Sequence, residues 1–161
     1  FEWVEGGEIA PTPVYNDGVL YLCCGFARIT ALDIKTQKIV WENEEQIPGV
    51  CTPLVTNGLF FGGLDEGGIV CFDAKTGKDA DGELLELWLE ETDDGFYASP
   101  ILAGNKIYLM DRAGKMHIFA PEKQFKSLGQ PSLEEVTVCT PVVIGNAIYY
   151  RGTQHLYKIG P

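Results

Sequence analysis

Some side chains of this sequence are of types that can do chemistry when they stand close together. Cys23 and Cys24 are adjacent, so they could exist as two thiols or as one disulfide. Asp79, Asp81 and Glu83 place carboxylates at alternate positions, and oxygen ligands of this kind suit Ca²⁺. Their spacing is not that of the twelve-residue calcium loop, so a solvated turn is the competing interpretation.

Charged and aromatic candidates follow in segments that are predicted to be loops. Asp111, Arg112 and Arg151 come directly after short apolar strands, where they could form a polar binding surface. Phe96 and Tyr97 are adjacent aromatic residues and could offer a platform for a small ligand or a carbohydrate. Binding residues concentrate on loops, so these five residues are the candidates for a binding surface.

Two histidines, His117 and His155, stand in or just before strands of neighbouring repeats. They could meet at a metal ion, but the sequence supplies no third ligand, and two unrelated histidines are the competing interpretation. Ser99 lacks the G-x-S-x-G context of an activated serine. The sequence therefore predicts no catalytic residue and no firm metal or cofactor ligand.

The overall composition limits the classes of function. The chain has 161 residues, of which 45% are hydrophobic and 22% are charged, as is typical of a globular protein. Its net charge is −11 and no basic stripe is visible, so nucleic-acid binding is not predicted. No apolar run approaches the roughly 18 residues that would indicate a membrane span. The five cysteines contain no C-x-x-C pair and carry no zinc signature.

Four copies of one pattern organise the chain. They begin at Thr12-Pro13, Thr52-Pro53, Ser99-Pro100 and Thr140-Pro141, so that the prolines are 40, 47 and 41 residues apart. Each copy continues through a tight-turn dipeptide, such as Asp17-Gly18, into a strand rich in β-branched and aromatic residues. A repeat of about 40 residues with four short strands predicts the blades of a β-propeller.

The strand pattern predicts an all-β chain of about four four-stranded antiparallel blades. A lone outer strand at residues 1–4 precedes blade 1, and the fourth blade lacks its own last strand, so the first strand or another chain would complete it. The opening residues have strand composition, and we expect the chain to be a piece of a longer protein. The predicted bounds of the four blades are 10–41, 51–88, 98–128 and 139–161.

The segment Ala31 to Trp41, which reads A-L-D-I-K-T-Q-K-I-V-W, resembles a known repeat. It is similar to the tryptophan-docking motif A-x-D-x-x-T-G-x-x-x-W of pyrroloquinoline-quinone (PQQ) type propellers, and only Gln37 departs from it. The second copy keeps the motif from Cys71 to Gly77 and reaches Trp88 after seven extra residues. Copies three and four keep the proline and the turn but lose the aspartate, the threonine and the tryptophan.

The resemblance implies that the tryptophans are structural. Trp3, Trp41 and Trp88 would each pack against the neighbouring blade, and Asp33 and Asp73 would cap the turns that follow them. Relatives with these repeats have eight blades, so four blades would be half of a ring. The other half would be a missing part of the protein or a second copy of this chain in a homodimer.

Three functions are compatible with this resemblance. The sequence favours a non-catalytic propeller that serves as a rigid platform for a protein partner in the periplasm or cell envelope of a bacterium. The first alternative is part of a PQQ- and Ca²⁺-dependent alcohol dehydrogenase, in which a disulfide between adjacent cysteines lies against the quinone, as Cys23 and Cys24 could. The second alternative is a propeller that binds a small ligand or a carbohydrate. The platform needs no cofactor.

Overall fold

The structure, a computed structural model, consists of β-sheets. It describes Trp3 and residues 9–78, 82–83 and 86–161, and these residues form fifteen strands and no helix. The predicted outer strand at residues 1–4 lies outside the described residues, apart from Trp3. None of the described segments is a helix long and apolar enough to cross a membrane.

Four antiparallel sheets follow one another along the chain, and within each sheet the strand order is the sequence order. The first two sheets are β1(Val14–Asn16), β2(Val19–Cys24), β3(Arg28–Asp33), β4(Lys38–Asn43), and β5(Leu54–Thr56), β6(Leu59–Gly63), β7(Ile69–Asp73), β8(Trp88–Glu90). The last two are β9(Ile101–Ala103), β10(Lys106–Met110), β11(Met116–Phe119), β12(Ser127–Gly129), and β13(Val142–Ile144), β14(Ala147–Arg151), β15(Leu156–Ile159). The all-β propeller of about four blades is confirmed.

The hairpin turns adopt the conformation that their dipeptides predict. Asp17 and Gly18 both have positive φ angles, 47° and 85°, as do Asn57 and Gly58, at 53° and 72°. Two consecutive positive φ angles match the twist of the flanking strands, which is why Asp-Gly and Asn-Gly are favoured in two-residue hairpins. The turns therefore fix the register of the first two strands in each of these blades.

Buried side chains join each blade to the next. The first core cluster contains Tyr21 and Trp41 of blade 1 together with Phe60 and Phe72 of blade 2. The second cluster joins blades 2 and 3, and the third joins blades 3 and 4. Among the described residues, each cluster connects consecutive blades, so the core lies between the sheets rather than within any one of them.

The repeated Ser/Thr-Pro steps form a second link between blades. The main-chain N–H of Thr12 donates to Oγ1 of Thr52 at 3.0 Å, and the N–H of Thr52 donates to Oγ of Ser99 at 2.9 Å. The N–H of Ser99 in turn donates to Oγ1 of Thr140 at 2.9 Å. The hydroxyl residue therefore recurs because each of blades 2, 3 and 4 receives one hydrogen bond from the blade before it.

Both ends of this series of blades expose apolar strand faces. Tyr15 on blade 1 is 61% exposed, although its register equivalent Val55 on blade 2 packs in the first core cluster. Val142 and Ile144 on blade 4 are 55% and 61% exposed. The sheets therefore form an open series in which blades 1 and 4 each have one face without an adjoining blade of the described chain.

Candidate functional site

The tryptophans of blades 1 and 2 reach across to the following blade. Trp41 is 4% exposed, and its Nε1 donates to the carbonyl oxygen of Ala74 at 2.9 Å. Trp88 donates from Nε1 to the carbonyl oxygen of Glu122 at 3.2 Å, and its ring lies edge-on to Phe119 at 5.9 Å. The ring of Trp41 is buried and that of Trp88 is partly buried, and each indole donates a hydrogen bond to a neighbouring backbone, which is the geometry expected of a packing residue.

Trp3 lies on the outward face of blade 1. Its Nε1 donates to Oγ1 of Thr30 at 2.8 Å, whereas Trp41 and Trp88 donate to backbone carbonyls. Thr30 occupies the register position that Val70 has in blade 2, where Val70 belongs to the cluster around Trp41. Trp3 therefore contacts the same face of a blade as Trp41 does, but through a different acceptor.

Gly77 shows why the docking motif has a glycine before its tryptophan. The residue has a φ of 62°, and a Cβ placed on it would lie 2.6 Å from Cδ2 of Trp41. Gln37 has a similar φ of 55° at the equivalent place in blade 1, which belongs to the open end of the series. The glycine is therefore needed where an indole covers the turn.

We expect Gly77→Ala to destabilise the protein more than Gly58→Ala, by about 1–3 kcal/mol, because the added methyl group overlaps the indole of Trp41. Gly58 is a matched control, since its φ is 72° and nothing lies within 4 Å of its Cβ position. Urea unfolding of both variants measures the difference. Equal losses of stability would contradict the role assigned to Gly77.

Asp33 and Asp73 hold the turns after the third strand of their blades. Oδ1 of Asp33 accepts hydrogen bonds from the N–H groups of Lys35 at 3.0 Å and Thr36 at 2.7 Å. These bonds, with the Thr36 N–H first among them, lower the pKa of Asp33. Asp73 accepts the two equivalent bonds, at 3.0 and 3.1 Å. The predicted capping role is confirmed for both residues.

Asp111 does not face a ligand surface. It is 1% exposed, and its Oδ2 lies 2.9 Å from Nε2 of His117, which is 3% exposed. Its Oδ1 accepts the N–H of Lys115 at 2.8 Å. Burial opposes ionisation, but the hydrogen bonds from His117 and Lys115 outweigh it and lower the pKa of Asp111. Nδ1 of His117 has no hydrogen-bond partner among the described residues, so the bond to Asp111 is its one side-chain hydrogen bond there.

Of the two adjacent aromatics, one is buried and one is available to a partner. Phe96 is 0% exposed and packs edge-on against His117 at 5.3 Å, so it cannot serve as a contact platform in this conformation. Tyr97 is 40% exposed, and Cζ of Arg112 lies 5.0 Å from its ring centroid. The main chain of Arg112 is also anchored, because its N–H donates to the carbonyl oxygen of Gly95.

Arg151 and the cysteines are engaged within the protein. Nη2 of Arg151 lies 3.1 Å from Sγ of Cys139, which places this guanidinium at the edge of blade 4. Cys23 and Cys24 are 3% and 1% exposed and are free thiols. Burial raises the pKa of Cys23, with smaller contributions from Cys51 and Cys24. Both thiols are therefore enclosed rather than presented to a ligand.

A carboxylate that sequence reasoning missed, Glu135, organises the loop after the second strand of blade 4. It accepts hydrogen bonds from the hydroxyl of Tyr157, from the N–H of Gln154, and from Nδ1 of His155 at 2.8 Å. These bonds lower its pKa to about 2. Nothing in the sequence marks Glu135, since its partners lie about twenty residues away. His155 thus has its own carboxylate and does not meet His117.

Glu135→Gln should lower the thermal midpoint at neutral pH and reduce its dependence on pH. A folded-state pKa below the ordinary value of 4.5 means that the stabilisation is complete above about pH 4.5 and is lost as the pH falls toward 2. Melting curves at pH 7 and pH 3 compare the two proteins. Glu134→Gln changes the exposed neighbour and is the control; equal pH dependence in wild type and Glu135→Gln would contradict this account.

The described residues do not provide a fit for PQQ with Ca²⁺. They contain no group of three or more histidine, cysteine, aspartate or glutamate side chains that could hold a metal ion. The carboxylates of Asp111 and Glu135 are already hydrogen-bonded within the protein, and the thiols of Cys23 and Cys24 are buried. Asp79 and Asp81 lie outside the described residues, and Glu83 is exposed. In the part of the chain that the structure describes, the candidate donors that the sequence offers therefore do not come together at one site.

One protein-family model matches nearly the whole chain. A family model described as outer membrane protein assembly factor BamB matches residues 2–157. The chain is 37% identical over 98 residues to the quinoprotein alcohol dehydrogenase PedE of Pseudomonas putida. That alignment covers 54% of this chain and 14% of the dehydrogenase, so the chain spans a small part of this curated relative.

Solved structures agree on the fold. BamB from Moraxella catarrhalis superposes with a TM-score of 0.74 at 20% identity, covering 93% of this chain and 42% of that protein. The computationally designed Ika4 protein superposes with a TM-score of 0.70 at 11% identity, covering 97% of this chain and 99% of the designed one. The chain thus superposes on less than half of BamB and on nearly all of the designed Ika4 protein.

Proposed function

This chain belongs to the PQQ-like propeller family described as outer membrane protein assembly factor BamB, and we propose that it is a non-catalytic scaffold for a protein partner in a bacterial envelope. The match of the family model to nearly the whole chain supports this proposal. By the same description, the partner is a component of outer membrane protein assembly. The envelope location is part of the proposal and follows from the family.

The observation that carries the proposal is the stacked pair of Tyr97 and Arg112. Tyrosine and arginine are residue types that dominate the energetics of protein interfaces, and here the exposed ring of Tyr97 stacks with the half-buried Arg112 above the buried Phe96. Phe96 anchors the support through His117, and Arg112 is fixed through its main chain. Such a rigid pair loses little conformational freedom when a partner binds it.

A photo-crosslinking residue at position 97 tests the proposal in the full protein. We expect adducts with a component of outer membrane protein assembly, identified by mass spectrometry, and a loss of at least about tenfold when Arg112→Glu is added. The same residue at position 128, on the exposed outer strand β12, is the control and should give none of these adducts. Equal adducts from both positions would contradict a surface centred on Tyr97.

The curated relatives favour a second candidate, part of a quinoprotein alcohol dehydrogenase. The 37% identity to such an enzyme over 98 residues is the observation behind it. The full protein, supplied with PQQ and Ca²⁺, would then gain a quinone spectrum and oxidise alcohols with a dye as electron acceptor. Dye-linked turnover would overturn the non-catalytic scaffold, whereas its absence together with adducts at position 97 would support it.

The open faces of blades 1 and 4 lead to a prediction about association. We expect the 161-residue chain to dimerise, since Tyr15, Val142 and Ile144 would otherwise remain in water. Sedimentation equilibrium should give about twice the chain mass of 17.7 kDa. Val142→Lys with Ile144→Lys should return the mass to that of a monomer, while Leu128→Lys on an outer strand should not. A wild-type monomer would contradict the homodimer.

A further inference from the structure

Blade 3 has a glycine at the position where blades 1 and 2 have their docking tryptophan. In the sheet register, Trp41 is opposite Ala31 and Trp88 is opposite Cys71. The equivalent of these two residues in blade 3 is Ile118, because each of the three is paired with the aromatic residue at the same place in the preceding strand. The residue opposite Ile118 is Gly129.

A cavity of about 620 Å³ lies between blades 3 and 4. Its walls include Tyr108, Ile148 and Ile159, which are the register equivalents of Tyr21, Phe60 and Phe72. Those three aromatic residues surround the indole of Trp41 between blades 1 and 2. The cavity therefore occupies the place that an indole fills at the first interface between blades.

No side chain of blade 3 fills this place. The nearest heavy atom to a Cβ built on Gly129 is Cδ of Pro131, at 4.0 Å, so the space above the glycine is open. Ile118 and Val143 add apolar surface to the walls, and Lys106 and Ser132 stand among the lining residues. The volume is within the range of small-molecule sites, about 300–1,000 Å³, and apolar cavities of this kind bind flat aromatic molecules.

We propose that this cavity is a binding site for a flat aromatic molecule of about the size of indole. The same protein shows twice, at Trp41 and Trp88, that the interface between two blades accommodates an indole from the preceding blade. The interface between blades 3 and 4 has the equivalent wall residues but no indole. The aromatic ring of a bound molecule would therefore take the position that the indole has elsewhere. The proposal is independent of the scaffold function, since it concerns another surface.

Indole itself is the probe. Titration calorimetry of the full chain should show saturable one-to-one binding, and NMR should show shifts concentrated on the methyl groups of Ile118, Ile148 and Ile159. This measurement needs no variant and so does not depend on how a substitution folds. The absence of saturable binding, or shifts spread over the apolar end faces instead, would overturn the proposal.

Two valine-to-tryptophan substitutions provide the matched pair. Val143→Trp places an indole from the chain into the cavity and should weaken binding of the probe at least about tenfold, because the added ring would take the position between the cavity walls that the probe needs. Val138→Trp adds the same side chain at a position that is 51% exposed and does not line the cavity, and it should leave binding unchanged. Unchanged binding in Val143→Trp would overturn the proposal. Gly129→Trp is unsuitable because the φ of 150° at this glycine strains any other residue.

Discussion

Replacing Trp41 with alanine is expected to lower the free energy of unfolding by about 3–5 kcal/mol, the usual cost of truncating a buried aromatic ring. The ring is 4% exposed and packs against Tyr21, Phe60 and Phe72, so its removal leaves a cavity across the interface of blades 1 and 2. The hydrogen bond to Ala74 is lost as well. Urea unfolding followed by circular dichroism measures the change.

Val40→Ala is the control for Trp41→Ala, since Val40 is the preceding residue on the same strand and is 44% exposed. We expect its substitution to cost no more than about 0.5 kcal/mol, as is usual for exposed positions away from special features. A small loss for Trp41→Ala, comparable with that of the control, would show that the blades do not depend on the docked indole.

Asp111→Ala is expected to cost a similar amount, about 3–5 kcal/mol, because removing one member of a buried pair leaves the other without a partner. His117 would then be buried with neither ring nitrogen hydrogen-bonded to a described residue, and the N–H of Lys115 would lose its acceptor. Asp93→Ala is the control, since Asp93 also contacts Lys115 but its side chain is 91% exposed, so we expect almost no change.

The contribution of Asp111 to the free energy of unfolding should also depend on pH. Its pKa is lowered in the folded protein, so its stabilisation is present above the ordinary aspartate value of about 4 and is lost as the pH falls through the folded-state value. The difference in stability between wild type and Asp111→Ala should therefore shrink in acid. A difference that stays constant from pH 7 to pH 3 would show that the carboxylate charge is not involved.

The fold could be predicted from sequence because its signals are local and repeated. Asp17-Gly18 and Asn57-Gly58 dictate a hairpin through their own φ preferences, and the apolar strands on either side have the length of a blade strand. Strand ends are less predictable: the pattern ends blade 2 at residue 88, whereas the last strand of that blade lies at Trp88–Glu90. Hydrogen bonds to the neighbouring strand set these limits, and a sequence pattern does not show them.

The candidate site was less predictable because it depends on which residues meet across loops. Asp111 and Arg112 are adjacent in sequence, yet one is buried against His117 and the other stacks on an exposed tyrosine. Glu135 has no local signal, and its role arises from residues 153–157 of the next hairpin. The loss of tryptophan from copy three was visible in the sequence. The cavity beside Gly129 was not, because it forms only where side chains of blades 3 and 4 face each other in the folded chain.

The hydrogen bonds between the Ser/Thr-Pro steps have a direction, and this gives the series of blades a polarity. Each N–H donates to the hydroxyl of the following blade, so blade 1 offers the acceptor position at Thr12 and blade 4 offers the donor position at Thr140. The two ends are thus complementary and not self-complementary. Any further blade, from this chain or another copy, extends the series by joining head to tail, and two copies would close a ring through two identical heterologous contacts.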